Sequence, residues 1–398
     1  MKFNYKYAIA LTMGLAMTAG TLTSCSDDDD DNNGSADNSQ NIINEIDAKD
    51  VLTYNSTNKD NWNKYMMVVA NYLKSDASSL YNDWTENYEG GEAYATTFKN
   101  AGKNTTFASA LAATEQIVDG CIDIAHEVGQ SKIGDPLELW KSKKYEEALY
   151  SVESWYSWHS RVDYSNNIES IKNSYYGSLD GKVAATSISA AIAKKDAALD
   201  KEVSAAIQKT ISTILGIPQP FRNHIASNEA LAAVEACAEL EELLDKKLKP
   251  ALSELNEDEL EAINAAYVDN VVLPTYKSLK DANEDLYNSV AAFAKAPSNS
   301  GFETLCDKWI ASRTFWEKSE AFLFGPVGDL GLDPNMDSWP LDQRAIQEIL
   351  SKGDFSDLNW EGEFDEENEG IAAAQSIRGF HTIEYLIYKS GKPRTIAN

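Results

Sequence analysis

Basic residues are scarce in this chain. Only 35 lysines and arginines stand against 63 aspartates and glutamates, a formal net charge of −28 over 398 residues. That deficit excludes nucleic acid as a partner, because phosphate contacts need clustered Lys and Arg, and it disfavours peripheral binding to anionic lipid. An acidic surface instead keeps the chain soluble and raises the local concentration of cations. Chain breakers are also few, with 10 prolines and 21 glycines against 43% hydrophobic residues. Long Ala/Leu/Glu/Lys stretches outweigh β-branched runs, so the expected class is all-α with a sizeable core. Cysteine occurs four times, as Cys25, Cys121, Cys237 and Cys306. Cys25 has a separate role, and the three widely spaced remainders exclude a disulfide framework and read as core thiols.

Apart from the N-terminus there is no long uninterrupted apolar run. Residues 8–19 are apolar except for Thr12 and Thr18, follow Lys2 and Lys6, and precede Leu22-Thr23-Ser24-Cys25. The stretch is too short to span a bilayer. Its order is that of a secretory signal, and the last four residues resemble a bacterial lipobox. Residues 1–24 are therefore expected to be a lipoprotein signal peptide, with Cys25 acylated and holding the chain on a lipid membrane. Ser26 and five consecutive aspartates, 27–31, open an acidic disordered tether over 25–40, since like charges in a row stay solvated. A cysteine followed by acidic residues resembles the surface-export signal of lipoproteins in the Bacteroides group. The implied location is the outer membrane, exposed at the cell surface, with a periplasm-facing orientation as the alternative.

Beyond the tether, apolar spacing is helical almost throughout. It predicts helices over about 60–87, 105–129, 135–177, 182–216, 227–252, 256–295, 301–324 and 368–388. Pro218 and Pro220 mark a break, Ser227, Asn256 and Ser298 read as helix starts, and Pro274 predicts a kink. Residues 325–367 are loop-rich. The expected architecture is two packed helical bundles, 41–258 and 259–398.

Ionisable residues lie on stripes that ought to be buried. Ala374, Ile377, His381, Glu384 and Tyr388 recur at helical spacing, which points His381 and Glu384 inward with Cβ atoms roughly 5–6 Å apart. A buried carboxylate needs a partner, and Gly379 permits another element to approach closely. A second stripe reads Cys306, Trp309, Arg313, Trp316, Glu320 and Leu323, with Arg313 and Glu320 two turns apart, roughly 10 Å. These two faces are expected to meet and form a His/Glu/Arg/Glu cluster inside a bundle. In a third segment Glu153, Ser157 and Ser160 share a face, with Asp163 one turn on, beside Trp155, Tyr156 and Trp158. That mixture suggests a lined cleft, to which Glu127 also contributes and which His159 borders. His126 and His224 read as ordinary helix and packing residues.

These segments together resemble the imelysin family. Gly379, His381 and Glu384 match its GxHxxE signature, and residues 309–326 resemble its Trp-x-x-x-Arg…Glu-Ala-Phe…Gly-Pro segment. Trp339-Pro340-Leu341-Asp342 matches its Trp-Pro-Leu-Asp, while 153–168 and 120–136 are similar to two further stretches. The half carrying GxHxxE comes last in this chain, which looks like a circular permutation of the usual order. The resemblance implies a metal- or haem-binding component of iron acquisition that works with outer-membrane iron or haem transport proteins. Iron, or zinc as another divalent metal, would be held by His381, Glu384 and Glu320, with haem left open as the form in which iron is carried. Two alternatives stand beside it: an imelysin-type metallopeptidase, and a non-catalytic module that docks a protein or glycan. A zincin helix needs two histidines four apart with a glutamate after the first. Here Thr382 follows His381 and Tyr385 stands at the second position, so hydrolysis is the weaker reading.

Overall fold

Side-chain caps set several of the helix starts, including those at Ser227, Asn256 and Ser298. Ser227 accepts a hydrogen bond from Ala230 N and Ser298 from Gly301 N, each at the N-terminus of the helix expected there. Asn256 forms a full capping box with Glu259. In the computed structural model, which describes residues 35–397 apart from 361–363 and 366, these caps belong to a chain of helices. In order they are α1 (Ser35–Lys49), α2 (Lys59–Thr85), α3 (Tyr94–Lys99), α4 (Ala110–His126), α5 (Asp135–Lys141), α6 (Tyr145–Tyr150) and α7 (Ser160–Tyr176). There follow α8 (Ile188–Lys195), α9 (Ala197–Gly216), α10 (Asn228–Leu243), α11 (Lys249–Ala251), α12 (Glu257–Tyr267) and α13 (Leu273–Lys295). The last six are α14 (Asn299–Glu317), α15 (Pro326–Asp329), α16 (Leu332–Asp337), α17 (Gln343–Lys352), α18 (Glu369–Gln375) and α19 (Gly379–Ile387). A two-stranded ribbon, β1 (Tyr388–Lys389) and β2 (Lys392–Pro393), closes the described chain. The signal peptide, Cys25 and the start of the tether lie outside the described residues, and positions 35–40 form the first turns of α1.

Three long helices pass through a π-helical turn before a proline: Glu127–Gly134 ahead of Pro136, Leu244–Leu248 ahead of Pro250, and Val268–Val272 ahead of Pro274. Proline offers no N–H to the carbonyl four residues back, and its ring pushes that carbonyl away. The wider turn resolves the mismatch, since Asp135, Lys249 and Leu273 each donate five residues back. The break expected at Pro274 takes this form.

The helices form two packed bundles. One contains α4, α7, α9 and α10; the other contains α2, α13, α14 and α19. They meet where α14 lies against α7 and where the 3-10 turn Glu320–Phe322 sits on α4 and α7. The sequence boundary does not separate the bundles, because α2 comes early in the chain yet packs along α13 and α19. Tyr65 on α2 donates to Ile377 O at 2.6 Å, and Asp76 pairs with Arg378 at 2.7 Å. The two ends of the described chain also meet. Arg394 donates to Leu52 O and pairs with Asp50, and Ala397 N donates to Tyr54 O. Among the described residues no helix is long and apolar enough to cross a membrane.

Three expected helices are broken where the charged residues lie. The predicted helix 135–177 gives way at 151–159 to a turn in which Ser154 and Trp158 adopt positive φ, 49° and 63°. Glu153 and Ser157 therefore do not share a helix face. The predicted helix 301–324 ends at Glu317, so Glu320 lies on a separate 3-10 turn. The predicted helix 368–388 breaks at Arg378, whose backbone is extended, and restarts at Gly379 with φ +85°. A Cβ at Gly379 would stand 2.5 Å from Met336 O, so glycine both permits the turn and lets α16 close in.

Candidate functional site

The approach of α16 to α19 brings Asp337 onto His381. The imidazole is buried, with Nδ1 at 2.8 Å from Glu384 Oε2 and Nε2 at 3.1 Å from Asp337 Oδ1. Glu384 in turn accepts the Ser157 N–H at 2.8 Å, which ties the 151–159 turn to α19. Ser157 thus contributes its backbone, while its hydroxyl donates to Ser154 O.

Arg313, wholly buried on α14, fills the space between α7, α16 and α19. Its guanidinium pairs with Asp337 and with Glu317 one turn along, lies 3.7 Å from Asp163 Oδ2, and sits 5.6 Å from the centre of the Phe380 ring. Asp337 also accepts Trp316 Nε1 at 2.7 Å. Asp163 is held by His159 Nδ1 at 2.7 Å and by the Ser154 hydroxyl. Asn167 donates to Glu317. These bonds form one continuous network from His159 through Asp163, Arg313 and Asp337 to His381 and Glu384.

On the other side of Glu317 lies Lys132, buried on the π-helical segment Glu127–Gly134. Its ammonium stands 3.3 Å from Glu153, 3.5 Å from Glu127 and 3.9 Å from Glu320, all longer than a good hydrogen bond. Among the described residues Glu153 Oε2 and the hydroxyl of fully buried Tyr164 have no hydrogen-bond partner.

Carboxylates outnumber cations in this core: Glu153, Asp163, Glu317, Glu320, Asp333, Asp337 and Glu384 face Lys132, Arg313, His159 and His381. Burial penalises each charge, and the pairs offset that penalty unequally. Burial pushes the Glu317 carboxyl up to about 8 although Arg313 opposes it. It raises Asp333 to about 7, helped by Asp337, lifts Glu320 well above the usual range despite Lys132, and raises Glu153. Asp337 goes the other way: burial is outweighed by Arg313 and by the hydrogen bond from His381, which hold it well below the usual carboxylate range. For His381, burial and Arg313 both oppose the charge, yet Asp337 and Glu384 outweigh them and bring it to about 9.

The structure gathers His381, Glu384, Glu320, Arg313, Glu153, Ser157, Asp163 and Glu127 into this core or its rim, but in different groupings, while Cys25 lies outside the described residues. The ring nitrogens of His381 face Glu384 and Asp337, and among the described residues Glu320 converges with Glu317 and Asp337 and not with His381 and Glu384. The carboxylates that do converge are Glu317, Glu320 and Asp337, with one oxygen from each within 4.8 Å of the others. Glu317, Asp337, Asp333 and Lys132 were not singled out from the sequence. Glu317 was legible as the residue one turn after Arg313. Asp337 and Asp333 sit in the loop-rich stretch, where no periodicity marks a buried face.

Three carboxylates in that arrangement fit a hard cation better than a soft one, and a bound cation would relieve the charge that burial otherwise disfavours in Glu317 and Glu320. No ring nitrogen is free on His381 to act as an axial haem ligand.

The fold agrees with that of known proteins similar to this chain. A crystal structure of an imelysin peptidase from Bacteroides ovatus superimposes with a TM-score of 0.85 at 54% identity, covering 87% of this chain and 99% of that one. Iron-regulated protein A of Synechococcus elongatus is 29% identical over 134 residues, spanning 32% of this chain and 31% of that protein. The family model described as imelysin (peptidase M75) matches residues 36–247 and 272–397, which include every member of the charged core, so the chain belongs to the imelysin family.

Proposed function

We propose that this protein is a cation-binding component of iron acquisition, held on the outer membrane by an acylated Cys25 and exposed at the cell surface. The observation that carries the reading is the convergence of Glu317, Glu320 and Asp337 where two bundles meet, in a core with more carboxylates than counter-ions. Similarity to iron-regulated protein A supports iron as the cation. The oxygen set suits iron or another hard divalent ion, and His381 and Glu384 act by positioning Asp337 and the 151–159 turn. The lipobox-like Leu22-Thr23-Ser24-Cys25 and the aspartates after it support the anchor. Outer-membrane iron or haem transport proteins are the partners such a surface lipoprotein would serve.

The test is ferrous iron binding, measured anaerobically by calorimetry, with metal analysis of the purified protein. Wild type is expected to bind one equivalent, and Glu317→Gln or Glu320→Gln to weaken binding at least about tenfold. A wild-type protein that binds no ferrous iron, or that binds it equally well in both variants, defeats the reading.

A further inference from the structure

Lys132 and Arg313 are both counter-ions of the three-carboxylate cluster, but only one of them is built to leave. Arg313 is locked: Asp337, Glu317, Asp163 and the Phe380 ring surround it, and it has no exposed surface. Lys132 holds Glu320 at 3.9 Å and Glu153 at 3.3 Å, distances at which an ammonium is attracted but not fastened. Its third partner, Glu127, leads outward: that side chain is 47% exposed while Lys132 is 5% exposed. Glu127 and Lys132 are five residues apart, and α-helical winding would set them about 140° apart around the axis. The π-helical turn that precedes Pro136 is what brings them together. A flexible four-carbon stem and a strongly hydrated head group suit lysine, more than arginine, to exchange a buried carboxylate for an exposed one.

The pocket around Lys132 also has polar atoms its own residues do not satisfy. The Tyr164 hydroxyl, fully buried, and Glu153 Oε2 have no hydrogen-bond partner among the described residues. Glu153 Oε2 is the atom that faces the Lys132 ammonium at 3.3 Å, so the lysine attracts this carboxylate without completing a hydrogen bond to it.

We propose that Lys132 is a tethered stand-in cation: it occupies Glu320 while the site is free of metal and swings out to Glu127 when a divalent cation takes Glu317, Glu320 and Asp337. This rests on the cation-binding reading above and adds its regulation. The exchange removes one positive charge and brings in two, a net gain of one in a core where carboxylates outnumber cations, and Glu320 and Glu153 are never both left uncompensated. The affinity observed for the cation is then reduced by the fraction of molecules in which lysine holds the site.

Two measurements test it on the full mature chain. In the first, an amine-reactive reagent is applied with and without saturating ferrous iron, and modification of Lys132 is read by peptide mass spectrometry. Lys132 is expected to be protected without iron and to react at least about tenfold faster with it, while buried residues elsewhere do not change. In the second, Lys132→Met is expected to bind ferrous iron about tenfold more tightly than wild type. Lys132→Met combined with Glu153→Gln, which removes one carboxylate with the lysine, keeps this arm informative should the single variant fold poorly. Iron binding that depends on Glu317 while Lys132 stays protected and its removal tightens nothing overturns the exchange and leaves the cation site standing. Absence of iron binding in wild type overturns the site itself.

Discussion

On one side of the charged core, Arg313, Asp337, His381 and Glu384 are joined by close hydrogen bonds and ion pairs, although Arg313 Nε, Glu317 Oε1 and Asn167 Oδ1 there lack a hydrogen bond among the described residues. On the other, Lys132 stands more than 3.2 Å from all three of its carboxylates, and neighbouring polar atoms are left unpaired. The two sides share Glu317 as a neighbour, but one closes on a planar guanidinium and the other on a flexible ammonium, and their backbone settings differ as well. The arginine side is assembled from four helices that close on a planar donor, and the lysine side hangs on a single π-helical turn. Buried charges held at close range by several partners fix a structure, whereas ones held at longer range can be exchanged for something that fits better. The arginine side therefore holds the bundles together, and the lysine side is the one on which the proposed exchange depends.

The largest effect that would break this comparison is at Arg313. Replacing it with methionine keeps the volume but strands Asp337, Glu317 and Asp163 as buried carboxylates without their shared cation. A loss of about 3–5 kcal/mol of folding stability is expected, enough to lower the midpoint of a denaturant titration well outside error. If Arg313→Met unfolds at the wild-type midpoint, the network is not the structural element described here.

A much smaller effect is expected for Glu153→Gln on the lysine side. Burial already raises the Glu153 carboxyl, so its charge is disfavoured in the folded state, and a neutral amide offers donors to the acceptors nearby. Stability is expected to stay within about 1 kcal/mol of wild type, with either sign. A cost as large as that of Arg313→Met would mean the two sides are equally essential, and the division between a structural and an exchangeable half would fail.

How much of this was legible in the sequence follows the same division. The stripe through Ala374, Ile377, His381 and Glu384 placed two ionisable residues inside, and both are buried, although the helix breaks at Arg378 and all of α19 is buried. Gly379 announced a close approach, and α16 makes it. Ser227, Asn256 and Ser298 announced helix starts because capping is local chemistry. The partners of His381 were not legible, since Asp337 lies more than forty residues earlier, in a segment of short helices without a repeating pattern. The turn at 151–159 was missed because its Trp, Tyr and Ser residues fit an amphipathic helix equally well. Asp163 and Glu384 accept hydrogen bonds from Ser154 and Ser157, and Gly391 N donates to Tyr156 O, so tertiary contacts help hold the turn with its positive φ at Ser154 and Trp158. The role of Lys132 depended on Pro136, four residues away, turning an α-helix into a π-helical one.

The smallest expected effect sharpens the comparison by showing what burial does to a carboxylate with no counter-ion at all. Asp83, near the end of α2 and away from the core, has an oxygen without a hydrogen-bond partner among the described residues, and burial pushes its carboxyl up to about 6. The folded chain then holds the Asp83 proton more tightly than the unfolded chain does, so this residue detracts from stability as the pH rises from about 4 to about 6. Below that window both states are protonated and the penalty vanishes. Asp83→Asn, which cannot ionise, is expected to raise the melting temperature by a degree or two at pH 7 and to leave it unchanged at pH 4, as followed by scanning calorimetry at the two values. An equal gain at both pH values would assign the effect to the amide's hydrogen bonds instead of the lost charge. A loss at pH 7 would mean that Asp83 has a cationic partner, and the contrast between paired and unpaired buried carboxylates would then need another example.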